Sequence, residues 1–187
     1  MALNRLYWPT KFTSRNEFLT QNVKCVFISH QQKDKSEARK VADYIENAGI
    51  DVYFDEYDKE LKIHHQGNNP KKVTDSICLG INNSSHMLVI VSPNTLSSTW
   101  VPFEIGYGFD KTDLGILCLK GIPKGSLPEY LRTAPIVRDI HDINILLSRI
   151  LGISSDSLIM ENRIYRFDSV NNPLYNVMDS NISDTYQ

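Results

Sequence analysis

The residues of this chain with the clearest chemical potential lie between positions 92 and 110, in the segment SPNTLSSTWVPFEIGYGFD. Four-residue spacing places Trp100, Glu104 and Gly108 on one stripe of a helix, with Ser97 one turn before it. An indole face can stack on an aromatic or cationic ring, and a carboxylate can stabilise positive charge in a reacting substrate. The spacing therefore predicts a cleft that both side chains face. The alternative is a solvated helix glutamate beside a core tryptophan.

Two elements must position this segment, a buried strand before it and the helix that carries Glu104. Residues 86–91 (HMLVIV) are apolar and rich in branched side chains, which is typical of a fully buried strand. Ser98 or Thr99 can cap the N-terminus of the helix. Pro102 falls in the first helical turn, where its missing N–H leaves no hydrogen bond unmade. The segment is therefore predicted to be a strand, a polar turn and a helix.

Strands and helices alternate through the rest of the chain. Further apolar runs predict strands at residues 23–29, 50–54, 114–119 and 136–140. Amphipathic periods predict helices at residues 34–49, 70–81 and 143–152. Asp34, with Glu37 three residues later, fits the N-terminal cap of the first of these helices. The alternation predicts an α/β fold, a flavodoxin-like doubly wound sheet of five parallel strands in the order 2-1-3-4-5.

The predicted organisation is one α/β domain with an extension at each end. Residues 1–22 form an N-terminal arm without a clear period, residues 23–152 the domain, and residues 153–187 a partly disordered C-terminal extension. Within that extension, the alternating segment 163–168 (RIYRFD) indicates an edge strand. The polar stretch 55–72 is longer than most loops, so we expect it to cover a site or to contact a partner.

Composition restricts the classes of function. Lysine and arginine number 20 against 22 aspartates and glutamates, with no long run of either sign, so we expect no nucleic-acid partner. Cys25, Cys78 and Cys118 stand singly in apolar segments, which is typical of reduced thiols. The adjacent His64 and His65 point apart on most backbones, so no metal site is expected. Because no signal-peptide core or membrane-length apolar stretch occurs, we expect a soluble, cytoplasmic protein without membrane contact.

The expected binding site is a crevice at one edge of the sheet. In such sheets, ligands bind beyond the carboxyl ends of the strands, where the strand order reverses. For the predicted order this point lies between the first and third strands. The predicted lining comprises Ser29, His30, Ser97, Trp100 and Glu104, with Asp55 and Asp58 reachable from the loop after the second strand. The chain lacks both the GxGxxG dinucleotide fingerprint and the P-loop pattern after its first strand, as well as the acidic residues of a response-regulator receiver.

Three spaced motifs resemble those of a known family. VFISHQQKDK, DVYFDEYD and MLVIVSPNTLSSTWVPFEIGYG are similar, in this order, to the successive motifs of a Toll/interleukin-1 receptor (TIR) domain of the bacterial stand-alone type. The resemblance covers residues 23–152. It implies that Glu104 is the catalytic residue of an NAD⁺-cleaving enzyme. Less directly, it implies that Ser29, His30, Ser97 and Trp100 line the substrate.

The resemblance also suggests a biological setting. Because the sequence shows no membrane span, death domain or effector domain, it is similar to the TIR component of bacterial antiphage systems of the Thoeris kind. That likeness implies a signal nucleotide, ADP-ribose or a cyclic isomer, which activates a separate effector. It also implies self-association, in which the 55–72 loop contacts a neighbouring subunit.

The residue types suit this chemistry. Cleavage of the nicotinamide–ribose bond passes through an oxocarbenium-like transition state, which one carboxylate can stabilise. The resemblance implies NAD⁺ as the substrate. Because nicotinamide leaves an already cationic ring as a neutral molecule, we expect neither a metal nor a separate cofactor to be required. Two other functions stay open from the sequence: a non-catalytic TIR scaffold, and a nucleoside deoxyribosyltransferase-like enzyme of similar architecture.

Overall fold

The sheet has five parallel strands, and their order confirms the predicted topology. The computed structural model describes residues 2–6, 24–55, 70–95, 98 and 100–180. The strands are β1 (Cys25–Ser29), β2 (Asp51–Tyr53), β3 (His86–Val91), β4 (Asp113–Cys118) and β5 (Ile136–Val137). They are arranged as β2-β1-β3-β4-β5, the doubly wound, flavodoxin-like order. β1 and β3 are therefore neighbours, and their carboxyl ends lie side by side.

Helices follow the strands as the sequence predicts. Those in the described residues are α1 (Lys35–Ala48), α2 (Pro70–Asn82), α3 (Trp100–Gly108), α4 (Ile140–Leu151) and α5 (Ser155–Met160). Single 3₁₀ turns precede α1 (Gln32–Asp34) and β5 (Glu129–Thr133). α1 and α4 end at Gly49 and Gly152, whose φ angles of 95° and 68° lie in the left-handed region that glycine adopts without strain. No helix in the described part of the chain has the length and apolar character needed to cross a membrane.

Each face of the sheet packs against a different pair of helices. Because side chains alternate along a strand, Val26 and Ile28 face α1 and α4, whereas Cys25 and Phe27 face α2 and α3. Ser29 continues the second series, so its side chain points towards α3. The predicted period of α1 is confirmed, since its apolar residues are buried: Ala38, Val41, Ala42 and Ile45.

The C-terminal extension packs on the same core as α1 and α4. Its apolar side chains are buried there: Leu158, Ile164, Leu174, Val177 and Met178. The predicted edge strand at 163–168 is wrong, because this segment forms turns that bind α1. Arg163 Nε donates to the Ala48 carbonyl at 2.9 Å, and the Tyr165 N–H donates to the Tyr44 hydroxyl at 3.1 Å. Tertiary packing has therefore overridden a short alternating pattern.

Both chain ends contribute to the fold within the described residues. Residues 2–6 run beside β2, where Asn4 and Val52 form a parallel bridge. Disorder is predicted for part of the C-terminal extension, but Val177 and Met178 near its end are buried, and residues 181–187 lie outside the described part. Residues 56–69, most of the predicted long loop, also lie outside it. The domain boundaries after residues 22 and 152 stay predictions.

Candidate active site

Glu104 lies on the side of α3 that packs against the sheet. Val101, Ile105 and Gly108 of the same short helix are buried with it. Glu104 is 8% exposed, and Ser29 Oγ, at the end of β1, donates a hydrogen bond to its Oε2. The alternative of a solvated helix glutamate is therefore wrong. The carboxyl group lies at the carboxyl end of β1, where the topology predicts a ligand crevice.

Burial raises the pKa of the Glu104 carboxyl group to about 8. The main cause is loss of hydration, which disfavours the charged form. The Ser29 hydroxyl opposes this rise by hydrogen bonding to the carboxylate, whereas the negative charge of Asp55 adds to it. Near neutral pH, Glu104 can therefore change between acid and carboxylate. That property suits a group that exchanges protons or meets an incoming positive charge.

His30 and Asp55, which we call the crevice wall, follow β1 and β2 and lie on the β2 side of the predicted crevice. His30 Nδ1 lies 3.2 Å from the Ile28 carbonyl oxygen, which can only accept, so Nδ1 carries the proton of this hydrogen bond. His30 Nε2 faces Asp55 Oδ1 at 3.6 Å. The His30 ring packs against Phe54, with 4.9 Å between ring centroids. The His30 side chain is almost buried but that of Asp55 is 41% exposed, so Asp55 is the member of the pair that a ligand can contact.

A buried polar network fixes the connection between β3 and α3. The Asp34 carboxylate accepts hydrogen bonds from Ser92 Oγ at 2.5 Å and from Asn94 Nδ2 at 2.6 Å. The Ser92 N–H donates to Thr95 Oγ1 at 2.9 Å. Asp34 occupies the N-cap position of α1, as predicted, but the expected capping hydrogen bond from its side chain is not formed. A sequence signal for the contact between Asp34 and Ser92 does exist. Asp34 follows β1, Ser92 follows β3, and the strand order places the ends of β1 and β3 side by side.

Comparison with known proteins identifies the family. A family model described as TIR domain matches residues 26–144. This chain belongs to the TIR domain family. The match lies within the range 23–152 over which the sequence motifs resemble TIR domains, so the predicted membership is confirmed.

Proteins similar to this TIR domain include an enzyme and, in fold, a receptor domain. The chain is similar to the 2′ cyclic ADP-D-ribose synthase BtTIR of Bacteroides thetaiotaomicron, with 35% identity over 80 residues. That alignment covers 42% of this chain and 25% of the relative, so the chain spans about a quarter of the relative's length. A crystal structure of the TIR domain of the Toll-related receptor TRR-2 from Hydra magnipapillata is also similar, with a TM-score of 0.51 and 17% identity. This structural match covers 68% of this chain and 94% of the receptor domain. At 17% identity, the similarity supports the fold alone.

The structure brings four of the seven predicted residues of the TIR domain's site together: Ser29, His30, Asp55 and Glu104. Trp100 begins α3, is half-buried and meets Phe103 edge-on, with 6.1 Å between ring centroids. It packs on the apolar cluster shared by α2 and α3, as the core-tryptophan alternative expects. Ser97 and Asp58 lie outside the described residues. A role of Trp100 or Ser97 in ligand binding stays a prediction.

Within the described part of the TIR domain, one group of side chains has the spacing of metal ligands. Asp139, His141 and Asp142 lie together after β5, two strands away from β3. Asp139 Oδ1 accepts from the Asp142 N–H at 2.8 Å, and Asp142 Oδ2 accepts from the Arg138 N–H at 2.9 Å. These bonds cap the N-terminus of α4, which accounts for the cluster without an ion.

Proposed function

We propose that this TIR domain cleaves the nicotinamide–ribose bond of NAD⁺ and that Glu104 is its catalytic residue. The observation that carries the proposal is a carboxyl group buried at the switch point of the sheet, with a pKa of about 8 and Ser29 as its hydrogen-bond partner. The bacterial relative, named as a cyclic ADP-D-ribose synthase, supports the same substrate class.

Charge balance in the crevice suggests how cleavage proceeds. NAD⁺ carries a positive pyridinium ring, and its approach favours the carboxylate form of Glu104 over the acid. Substrate binding is therefore coupled to release of the Glu104 proton. When the C–N bond breaks, both of its electrons go to the ring nitrogen, so nicotinamide leaves neutral and the ribose becomes an oxocarbenium-like cation. The Glu104 carboxylate stabilises that cation.

Capture of this cation determines the product. Attack by water gives ADP-ribose, whereas attack by a hydroxyl of the substrate itself gives a cyclic isomer. In both cases the attacking oxygen loses a proton, which the Glu104 carboxylate can accept. The name of the bacterial relative favours the cyclic product. The two products differ by the mass of one water molecule, so mass spectrometry separates them.

The other crevice residues have supporting roles in this proposal. Ser29 orients the Glu104 carboxylate through its hydroxyl group. We assign the exposed Asp55 carboxylate, with its partner His30, to hydrogen bonding with the ribose hydroxyls. Trp100 and Ser97 complete the proposed substrate-binding set. Neither a metal nor a separate cofactor is needed in this scheme, because the leaving group requires no activation.

We further propose that the product is a signal in bacterial antiphage defence of the Thoeris kind, made in the cytoplasm and received by a separate effector. The support is the resemblance of the sequence motifs and the cyclic nucleotide named for the relative. Self-association through the 55–72 loop belongs to the same proposal. In cells that express the chain and its effector, Glu104→Gln should abolish protection from phage at an unchanged protein level.

Exposed apolar side chains favour a second candidate function, a TIR scaffold that acts through protein contacts. Leu79 on α2, Phe103 on α3 and Phe109 just after α3 are 50%, 36% and 49% exposed. α2 and α3 pack against each other, and exposed apolar side chains on adjacent helices are typical of interaction surfaces. A scaffold does not need the Glu104 carboxylate, so Glu104→Gln would preserve its biological effect.

The deciding experiment measures NAD⁺ cleavage by concentrated protein and by lysate from phage-challenged cells that express it. Nicotinamide and the ADP-ribose isomers are resolved by mass spectrometry. Glu46→Gln is the matched control for Glu104→Gln, because burial also raises the pKa of Glu46, which lies on α1 at the other face of the sheet. We expect nicotinamide release that only Glu104→Gln abolishes. Its absence from both samples of the unmodified chain would favour the scaffold, and activity on free deoxynucleosides alone would favour a deoxyribosyltransferase.

A further inference from the structure

Residues 2–6, which we call the edge strap, lie along the outer edge of β2. The Arg5 N–H donates to the Val52 carbonyl at 2.7 Å, and the Val52 N–H donates to the Leu3 carbonyl at 3.1 Å. Asn4 and Val52 thereby form a parallel bridge. The strap precedes residues 26–144, which match the TIR family model, so this contact belongs to the chain outside the family match. β2, the outermost strand in the sheet order, thus has a backbone partner on both sides.

The first part of the strap is attached to Asp51, the first residue of β2. The Leu3 N–H donates to Asp51 Oδ1 at 3.0 Å, and Arg5 Nε donates to Asp51 Oδ2 at 2.7 Å. The Arg5 guanidinium also forms an ion pair with Asp51 at 2.6 Å, and both side chains are largely buried. A partly buried, charge-assisted hydrogen bond between arginine and carboxylate is among the stronger side-chain interactions. The strap is therefore anchored at the start of β2.

Asn4 extends the attachment beyond the end of β2. Its Nδ2 donates to the Phe54 carbonyl at 2.8 Å, and the Phe54 N–H donates to its Oδ1 at 3.2 Å. The Asn4 side-chain amide therefore forms the same pair of hydrogen bonds with the Phe54 backbone that a residue of an adjacent strand would form. Its Oδ1 also accepts from the Leu6 N–H at 3.1 Å, which fixes the orientation of the amide.

Phe54 connects this contact to the crevice. Its side chain is completely buried and packs against the ring of His30, with 4.9 Å between centroids. The next residue, Asp55, faces His30 Nε2 at 3.6 Å. β2 has only three residues, Asp51–Tyr53, and the ends of short edge strands open easily. A clamp on Phe54 therefore restricts the part of β2 that carries the crevice wall.

We propose that the edge strap positions the wall of the crevice and that Asn4 is a positioning residue for Phe54, His30 and Asp55. Asn4 makes no proposed contact with substrate. It acts by holding the backbone of Phe54, so that the His30 ring and the Asp55 carboxylate keep their places opposite Glu104.

The test compares Asn4→Ala with Asn172→Ala in the full chain. Asn172 is a matched control, because its side chain also bridges two backbone groups, in the C-terminal extension. Its Oδ1 accepts from the Leu174 N–H at 2.9 Å, and its Nδ2 donates to the Arg166 carbonyl at 3.2 Å. Thermal unfolding reports the stability lost in each variant. Amide hydrogen exchange at Phe54 and the NMR signals of the His30 ring report the crevice wall without the need for activity.

In Asn4→Ala, we expect the Phe54 amide hydrogen to exchange about tenfold faster and the NMR signals of the His30 ring to shift, because the end of β2 can then open. Asn172→Ala should lose comparable stability and change neither signal. The kcat/KM for NAD⁺, a readout that rests on the proposed function, should fall by roughly tenfold or more in Asn4→Ala, since displacement of about 1 Å can cost up to a hundredfold.

A folded Asn4→Ala protein with unchanged His30 signals would overturn the positioning role, whatever its activity, because loss of the Asn4 acceptor can by itself speed exchange at the Phe54 amide. If the unmodified chain does not cleave NAD⁺, the proposed function fails, but the His30 signals still decide the positioning role. Should Asn4→Ala not fold, Asn4→Asp takes its place. It keeps the acceptor for the Phe54 and Leu6 N–H groups and loses the donor to the Phe54 carbonyl. Faster Phe54 exchange together with shifted His30 signals supports the proposal, and unchanged His30 signals overturn it.

Discussion

The crevice around Glu104 and a network around Tyr44 lie on opposite faces of the sheet, and both contain a buried titratable side chain. In the second region, the tyrosine network (Tyr44, Asn144 and Tyr165), the Tyr44 hydroxyl donates to Asn144 Oδ1 at 2.8 Å and accepts from the Tyr165 N–H at 3.1 Å. Burial raises the pKa of Tyr44 as it raises that of Glu104. An ordinary tyrosine is already neutral at pH 7, so the raised pKa leaves the charge of Tyr44 unchanged. An ordinary glutamate is charged at pH 7, so the raised pKa of Glu104 favours the uncharged acid instead.

The same physical cause therefore stabilises one region and makes the other reactive. In the tyrosine network, the Asn144 Nδ2 donates to the Tyr165 carbonyl at 2.9 Å, so neutral donors and acceptors satisfy each other. Glu104 has a hydroxyl partner and the negative charge of Asp55, and no cation of the described residues is among the groups that shift its pKa. Its ionisation must therefore cost folding free energy. Such a cost is expected at a functional site rather than in a structural core.

The largest expected effect is loss of NAD⁺ cleavage in Glu104→Gln. Glutamine preserves the shape of the side chain and a hydrogen bond to Ser29 but cannot carry the negative charge. We therefore expect kcat to fall by about a thousandfold or more, which is equivalent to about 4 kcal/mol of transition-state stabilisation. Steady-state kinetics with NAD⁺ measures it. Tyr44→Phe, in the opposite region, should stay within about twofold of the unmodified chain. Equal losses in both variants would remove the distinction between the two regions.

The pH dependence of stability should show the cost of Glu104 directly. The folded pKa of about 8 lies above the ordinary value of 4.5, so the folded protein binds more protons than the unfolded chain between these values. Stability therefore falls as pH rises from about 4.5 to 8, by on the order of 5 kcal/mol, and Glu104→Gln should remove this loss.

Denaturant unfolding of both proteins at several pH values measures the difference. The control is Glu129→Gln, because Glu129 has a 95% exposed side chain, and its curve should run parallel to that of the unmodified chain. A difference between Glu104→Gln and the unmodified chain that stays constant with pH would show that the Glu104 carboxyl is not perturbed.

A loss of stability without loss of activity is expected for Tyr44→Phe. This change removes the hydroxyl, so the Asn144 amide oxygen and the Tyr165 N–H each lose a hydrogen bond. The free energy of unfolding should therefore fall by about 2 kcal/mol. For a chain of this size, Tm should fall by roughly 4–8 °C in thermal unfolding. Tyr130→Phe is the control, since Tyr130 is 51% exposed. An unchanged Tm, with reduced NAD⁺ cleavage, would instead connect the tyrosine network to the crevice.

Sequence patterns predicted those features that depend on local period and on topology. Branched apolar runs marked the five strands, and the strand order then brought Ser29 towards Glu104, although these residues are 75 positions apart. The actual contact of Asp34 was missed, because the same residue type at the start of a helix also fits a cap. The edge strap and the turns at 163–168 were missed for another reason. Their partners, Asp51 and Tyr44, are distant in sequence, and no local pattern encodes such pairing.

The smallest expected effect concerns the hydroxyl that modulates Glu104. Because Ser29 donates a hydrogen bond to the carboxylate, it lowers the pKa of Glu104 against the rise caused by burial. If the carboxylate is the active form, kcat/KM for NAD⁺ rises with pH through the pKa of the free enzyme, about 8. Ser29→Ala should move this limb of the profile to higher pH by roughly one unit or less. Ser29→Thr keeps a hydroxyl and should restore the profile. A shift of Ser29→Ala to lower pH would mean that the hydroxyl stabilises the protonated acid, and the acid would then be the form that the crevice is built to hold.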